Sequence, residues 1–155
     1  MIFNTGKMNI VEERLRTLNI QLPEPKPPVG NYLGCKITGN LLYASGRVSD
    51  QKGKVGPEIS LDKARKVAHD TVLLILSIVK NEMNDLSRLK GVVKVQGFIN
   101  CSDDFSDLPK VLDGASDLLI SLFEENGRHA RTATGVPQLP FGASLQLDII
   151  FELNL

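Results

Sequence analysis

Residues 144–153 read SLQLDIIFEL and form the most regular pattern in the chain. Every second side chain is apolar, and the positions between them are mostly polar: Leu145, Leu147, Ile149, Phe151 and Leu153 alternate with Gln146, Asp148 and Glu152. Successive side chains of a β-strand point to opposite faces, so the pattern predicts a strand with one buried face. A sheet that contains this strand needs a second layer to cover its apolar side.

Two amphipathic helices supply that layer. The first is predicted from Ser60, a suitable N-cap, to about residue 82, because its apolar residues recur at steps of three and four. The second is predicted to begin at Ser106 or Asp107, with Pro109 in its first turn, and to end at Gly127. Each has an apolar face wide enough to pack on a sheet.

The remaining segments complete an α+β single domain in the order α-β-β-α-β-α-β-β. A short helix is predicted at 11–18, a proline-rich arm at 21–28, and strands at 32–38, 41–46, 91–100 and 129–136, with Gly39-Asn40 as the first turn. We expect residues 1–28 to form an N-terminal helix and arm, and residues 29–155 to form the main domain. The strand at 91–100 carries apolar residues on both faces, which predicts self-association with a cleft between subunits.

Composition excludes several classes of protein. The 155 residues carry 18 basic and 18 acidic side chains, so there is no basic surplus for a nucleic acid, and 42% of them are hydrophobic, as in a globular protein. Two cysteines, no apolar run of signal-peptide or membrane-spanning length, and no zinc-ligand spacing predict a reduced, cytoplasmic protein without metal or cofactor. We expect no membrane partner.

The most informative stretch for chemistry is residues 127–136, GRHARTATGV. On a strand, His129, Arg131, Ala133 and Gly135 share one face, and the small residues leave room beside the guanidinium. Two interpretations of Arg131 stay open: it binds an anionic ligand, or it pairs with an acid of its own chain. Thr132 and Thr134 are expected to face the helices.

At this point the chain resembles the YjgF/RidA family, formerly named endoribonuclease L-PSP. The resemblance rests on four features, spread over about residues 22–153: Arg131, the Leu139-Pro140 pair, the alternating strand that contains Gln146, and the Ser45-Gly46 pair with the early aromatic Tyr32. Residues 113–117 and 127–131 resemble a divergent branch with few characterised members. The resemblance implies a chorismate-mutase-like fold with a mixed sheet and two long helices on one face, and a homotrimer with a cleft at each subunit interface.

The resemblance also implies an activity. Members of the family hydrolyse enamine and imine intermediates of the 2-aminoacrylate type to 2-keto acids and ammonia. Arg131 would then bind the substrate carboxylate, Tyr32, Ser45 and Gly46 would line the cleft, and backbone groups near Cys101 would contact the imine nitrogen or water. The residue matching the family's water-positioning glutamate is Gln146, and Gly114 stands where the family has an asparagine.

These departures keep a second hypothesis open. An amide can orient water but cannot take its proton, so the chain is either an imine deaminase or a non-catalytic protein that binds a small carboxylate such as a 2-keto acid. Asp148, two residues further along the same strand face, is a possible substitute base. His129 is either a ligand contact and acid–base group or a structural histidine at the subunit interface, and the cysteines are interpreted as buried residues. The zero net charge does not favour RNA cleavage.

Overall fold

The computed structural model describes residues 9–155, and the first eight residues of the predicted N-terminal segment lie outside them. Three helices and five strands occur in the predicted order. They are α1 (Ile10–Thr17), β1 (Cys35–Thr38), β2 (Leu41–Val48), α2 (Leu61–Met83), β3 (Leu89–Asn100), α3 (Leu108–Phe123), β4 (Ala130–Val136) and β5 (Leu145–Leu153), with short 3-10 turns at Glu124–Gly127 and Pro140–Gly142. The sequence-based boundaries are therefore confirmed to within a few residues.

The five strands form one mixed sheet in the order β1-β2-β5-β3-β4. All neighbours are antiparallel except β3 and β4, which are parallel and are connected through α3. A parallel pair needs such a crossover, because the chain must return to the end of the sheet where it began. The predicted mixed sheet with its long helices on one face is confirmed, and β1 and β4 are its edge strands.

Helix α2 begins and ends as its sequence predicts. The Ser60 side chain accepts a hydrogen bond from the Lys63 backbone N–H at 3.2 Å, which satisfies one of the free donors of the first turn. The helix stops at Asn84, whose φ of 72° is left-handed. Buried residues run without a break from Thr71 to Val79, because the sheet covers one side of the helix and other parts of the chain cover the rest.

The core lies between the sheet and the helices α2 and α3. The five alternating apolar residues that begin with Leu145 and end with Leu153 are each at most 1% exposed. Helix α3 lies so close to β3 that a Cβ on Gly97 would come within 2.5 Å of the Leu112 side chain. A Cβ on Gly114 would lie 2.0 Å from the Arg65 carbonyl oxygen of α2. These two glycines allow α3 to approach both of its neighbours.

Register decides which side chains of β4 face the helices. Arg131 is in register with the buried Val95, whereas Thr132 is in register with Gln96. Partners in register point to the same face of a sheet. The expectation that Thr132 and Thr134 face the helices is therefore wrong, because the alternation places Arg131 on the helix side and both threonines on the open side.

The N-terminal segment packs against the domain. Val11 and Leu15 of α1 are buried in the common core, and the Arg14 guanidinium donates from Nε and Nη2 to the Ser121 carbonyl of α3 at 3.1 and 2.8 Å. Further along the arm, Lys26 forms an ion pair with Asp50. Within residues 9–155, no helix is both long and apolar enough to cross a membrane.

Candidate functional site

Arg131 lies on the edge strand β4 and points at helix α3. Its Nη1 donates to Oδ1 of Asp113 at 2.8 Å and to Oγ of Ser116 at 3.1 Å, and its Nη2 donates to the Pro109 carbonyl at 3.2 Å. Asp113 and Ser116 are one helical turn apart, so both can face the same strand residue. Of the two interpretations left open by the sequence, pairing with an internal acid is the one that the structure shows.

The guanidinium still has donors to offer. It carries five N–H groups, and the three bonds above account for three of them. Among residues 9–155, the Nε hydrogen and one Nη2 hydrogen have no partner, and the side chain is 23% exposed. The internal bonds therefore hold the guanidinium in one orientation without occupying all of it.

His129 extends this network. Its Nδ1 lies 2.5 Å from the Gly127 carbonyl oxygen and its Nε2 lies 2.9 Å from Oγ of Ser116. A carbonyl can only accept, so Nδ1 carries the proton, and in the neutral ring Nε2 accepts from the Ser116 hydroxyl. The hydroxyl thus accepts from Arg131 and donates to His129. Both ring nitrogens are occupied inside one subunit, as expected of a structural histidine with a bond to backbone.

A second group of predicted residues lies at an irregularity of β2. The register between β2 and β5 shifts between Ala44 and Arg47, so that Ser45 and Gly46 lie opposite the single residue Asp148. The Ser45 hydroxyl donates to the Leu33 carbonyl at 2.5 Å. A Cβ on Gly46 would lie 3.0 Å from Nε2 of Gln146, so the glycine leaves space beside this amide.

Asp148 is the acid of this second group. Its Oδ1 is buried, and no group among residues 9–155 donates a hydrogen bond to it. Burial raises the pKa of the Asp148 carboxyl above its usual value, although its own backbone N–H and the nearby Lys94 charge counteract part of that rise. A carboxyl with a raised pKa and a free oxygen is suited to accept a proton from water.

Arg131 and Gln146 lie on opposite faces of the sheet. Gln146 is in register with Phe98 and, through it, with Thr134, on the open side. Arg131 shares the helix side with Val95 and Ile149. A single subunit therefore does not bring the two predicted catalytic residues to one ligand, and only a neighbouring subunit could do so.

The other predicted ligand contacts have different surroundings. Tyr32 lies between the arm and β1 and is 47% exposed, and its hydroxyl accepts from the Val29 N–H at 3.4 Å. Cys101 is buried at the end of β3, its backbone N–H donates to the Val136 carbonyl at 3.3 Å, and burial raises the pKa of its thiol. Gly114 lies at the contact between α2 and α3, where its lack of a side chain serves packing.

Comparison with known proteins assigns the family. Residues 12–153 match the model of the family described as "YjgF/chorismate_mutase-like, putative endoribonuclease". This match covers nearly all of the described chain. The protein belongs to the YjgF family.

Several individual proteins are similar to this chain over most of its length. The protein TCP17 of Trypanosoma cruzi is 38% identical over 151 residues, which are 93% of this chain and 94% of TCP17. The crystal structure of Atu1372 from Agrobacterium tumefaciens, a protein of unknown function, is similar to this chain with a TM-score of 0.86 and 35% sequence identity. The match covers 99% of this chain and 98% of the Atu1372 chain. The YjgF gene product of Escherichia coli has a TM-score of 0.55 at 20% identity over 83% of this chain and 92% of its own, which shows the shared fold.

Sequence reasoning missed Asp113 and Ser116 as members of the site in this YjgF-family chain. Both are polar residues beside the apolar face of a helix, and Ser116 is only 8% exposed. A buried serine between apolar neighbours has to find a hydrogen-bond partner, and this requirement was a usable signal. Its partners, Arg131 and His129, lie 15 and 13 residues further along the chain, beyond the reach of local patterns.

Proposed function

We propose that this YjgF-family protein hydrolyses reactive imines or enamines that carry a carboxylate, giving a 2-keto acid and ammonia. The proposal rests on the guanidinium of Arg131 on the edge strand β4. Hydrogen bonds within its own chain fix its orientation, and two of its N–H groups have no partner among residues 9–155. An arginine fixed in orientation binds a carboxylate with little loss of side-chain freedom. The family resemblance of Arg131 and the Leu139-Pro140 pair supports the same assignment.

The proposed cleft lies between subunits of a homotrimer. Arg131 of one subunit would bind the carboxylate, and the open sheet face of the next would supply Gln146 and Asp148. The open face is suited to an interface because it is bare in the single chain and includes Tyr43, 42% exposed, in register with Ile150. The cytoplasmic location stays a prediction.

The proposed reaction adds water to the imine carbon. The Gln146 amide orients the water, and the Asp148 carboxylate accepts its proton as the oxygen bonds to carbon. Starting from the protonated imine, Asp148 returns this proton to the nitrogen and then accepts the proton of the new hydroxyl group, so the C–N bond breaks and ammonia leaves as the C=O bond forms. The roles of Tyr32, Ser45 and Gly46 in lining this cleft are part of the proposal. Gly114 has no part in the proposed cleft, because the close contact between α2 and α3 explains why a glycine stands at this position.

The first experiment measures loss of an imine generated in situ by an amino-acid oxidase. The wild-type protein should accelerate release of the keto acid, and Arg131→Ala should lose most of that acceleration, because the carboxylate loses its partner. The matched control is Arg128→Ala, which removes an exposed arginine paired with Glu125 three residues away. An Arg131→Ala protein that works at the wild-type rate would remove the role assigned to Arg131.

A second function, binding without catalysis, is favoured by one observation. Position 146 carries an amide where the family has a carboxylate, so no acid occupies the expected place of the base. In that case a small carboxylate such as 2-oxobutyrate should raise the thermal stability of a protein that shows no turnover. If only the base is missing, Gln146→Glu should then produce turnover.

A further inference from the structure

We propose that Asp113 makes this site select ligands in which a cationic nitrogen stands next to the carboxylate. Such ligands include a protonated 2-imino acid and the zwitterion of an amino acid. The inference rests on the proposed function, because it assumes that Arg131 binds the carboxylate. It adds a specificity determinant that the sequence does not place in the site.

The charges of the Arg131–Asp113 pair cancel. The two side chains meet at 2.8 Å, and both are accessible, at 23% exposed for Arg131 and 44% for Asp113. A ligand carboxylate that approaches the guanidinium therefore also approaches a negative charge within a few ångströms. Repulsion from Asp113 offsets part of the attraction to Arg131, so the pair is a poor site for a simple anion.

The same pair is complementary to a zwitterion. Oδ1 of Asp113 is bound to Arg131, while Oδ2 accepts no hydrogen bond from residues 9–155. Arg131 keeps its Nε hydrogen and one Nη2 hydrogen, on nitrogens that do not bind Asp113. A ligand with a carboxylate on one carbon and a protonated nitrogen on the adjacent carbon can place each charge against its opposite. The substrate imine has this arrangement when its nitrogen is protonated.

This preference would also separate substrate from product. The keto acid keeps the carboxylate but has lost the nitrogen, so it meets the repulsion of Asp113 without the attraction that a cationic nitrogen would add. We therefore expect the product to bind more weakly than the substrate. A site that binds its product weakly is less inhibited as product accumulates.

The test compares L-alanine with pyruvate, which share a three-carbon skeleton and a carboxylate and differ in the charged amine. Calorimetric titration of the wild-type protein should give a lower Kd for alanine than for pyruvate. Asp113→Asn keeps an oxygen acceptor and removes the charge, and the Ser116 and Pro109 bonds continue to orient Arg131. This variant should change the ratio of the two Kd values in favour of pyruvate by about tenfold.

The control is Asp117→Asn, which neutralises another acid of α3 whose partner is Arg65 at 3.6 Å. It should leave the ratio unchanged, and Arg131→Ala should abolish binding of both ligands. The role of Asp113 would be overturned if the wild type preferred pyruvate, or if Asp113→Asn left the ratio of the two Kd values unchanged. The proposed function would still stand in either case, as long as binding depended on Arg131. If the wild type bound neither ligand, the carboxylate site itself, and with it both proposals, would be wrong.

Discussion

Asp148 has surroundings that differ from those of a surface acid. Its Oδ1 is buried, and none of the described residues donates a hydrogen bond to this atom. Asp148 also lies opposite Ser45 and Gly46, where β2 has one residue more than β5. A protein stabilises such a carboxyl poorly in its charged form. Catalytic acids and bases are commonly groups whose ionised form the fold stabilises poorly.

The raised pKa of Asp148 has a direct consequence for stability. The folded state holds the proton to a higher pH than the unfolded state does, so the free energy of unfolding should fall as pH rises from the ordinary carboxyl value of 3.8 through the raised folded pKa. Asp148→Asn should abolish this decline and leave the protein at least as stable at neutral pH. Urea unfolding between about pH 4 and pH 7 measures the effect.

The control for this experiment is Glu152→Gln, which removes a carboxylate of the same strand that is paired with Lys90. It should leave the decline in place. If Asp148 accepts the proton of water, Asp148→Asn should also lose most imine turnover. An Asp148→Asn variant that kept both the pH-dependent decline in stability and full imine turnover would contradict the buried surroundings and the proton-accepting role assigned to Asp148.

At the scale of secondary-structure elements, the position of α3 determines the site. This helix carries Asp113 and Ser116 toward β4, and it can do so only because glycines allow it to approach the sheet and α2 closely. A helix displaced by one ångström would lengthen hydrogen bonds of about 3 Å beyond useful range. Packing and polar contacts are therefore coupled through one element.

Gly97→Ala tests this coupling. The new methyl group would lie 2.5 Å from the Leu112 side chain, so α3 or Leu112 must move. We expect a loss of about 1–3 kcal/mol in the free energy of unfolding, typical of overpacking, measured by urea titration. Carboxylate binding at Arg131 should weaken at the same time.

The control is Gly30→Ala, in the exposed segment before β1. The atoms nearest to the new methyl group belong to the exposed Tyr32 side chain, so the free energy of unfolding should change by less than about 0.5 kcal/mol. Equal stability of the two variants would show that α3 tolerates the methyl group.

At the scale of the whole molecule, the two faces of the sheet separate Arg131 from Gln146 and Asp148. A cleft that uses all three must combine the helix side of one subunit's β4 edge with the open face of another. This arrangement makes the assembly part of the proposed active site, and it predicts that the subunits can complement each other.

Complementation between inactive variants tests this arrangement. Arg131→Ala and Asp148→Asn should each be inactive alone, but mixed trimers should contain clefts with one intact Arg131 and one intact Asp148. In the proposed trimer, each mixed assembly contains one intact cleft of three, so the isolated mixed trimers should show about a third of wild-type turnover. Co-expression with two different affinity tags isolates the mixed trimers. Mixed trimers without turnover would place both residues in the same subunit's site or outside it.

Local patterns of the sequence determined the order and type of the elements. The alternation in β5, the three- and four-residue steps of α2 and its Ser60 cap depend only on neighbours along the chain, and each was confirmed. The same patterns placed His129, Arg131, Ala133 and Gly135 on one face of the strand predicted at 129–136. They could not say which face this was, because strand periodicity is identical for both sides of a sheet.

Only the tertiary structure decided the partners of those residues. The strand order β1-β2-β5-β3-β4, the parallel pairing of β3 with β4 and the close approach of α3 bring Asp113 and Ser116 to Arg131 across 18 and 15 residues. Gly114, expected at a ligand by position in the family pattern, lies at a helix contact instead, while its neighbour Asp113 reaches the arginine. Hydrogen-bond partners of a side chain depend on long-range packing, and the composition and spacing of nearby residues do not record that packing.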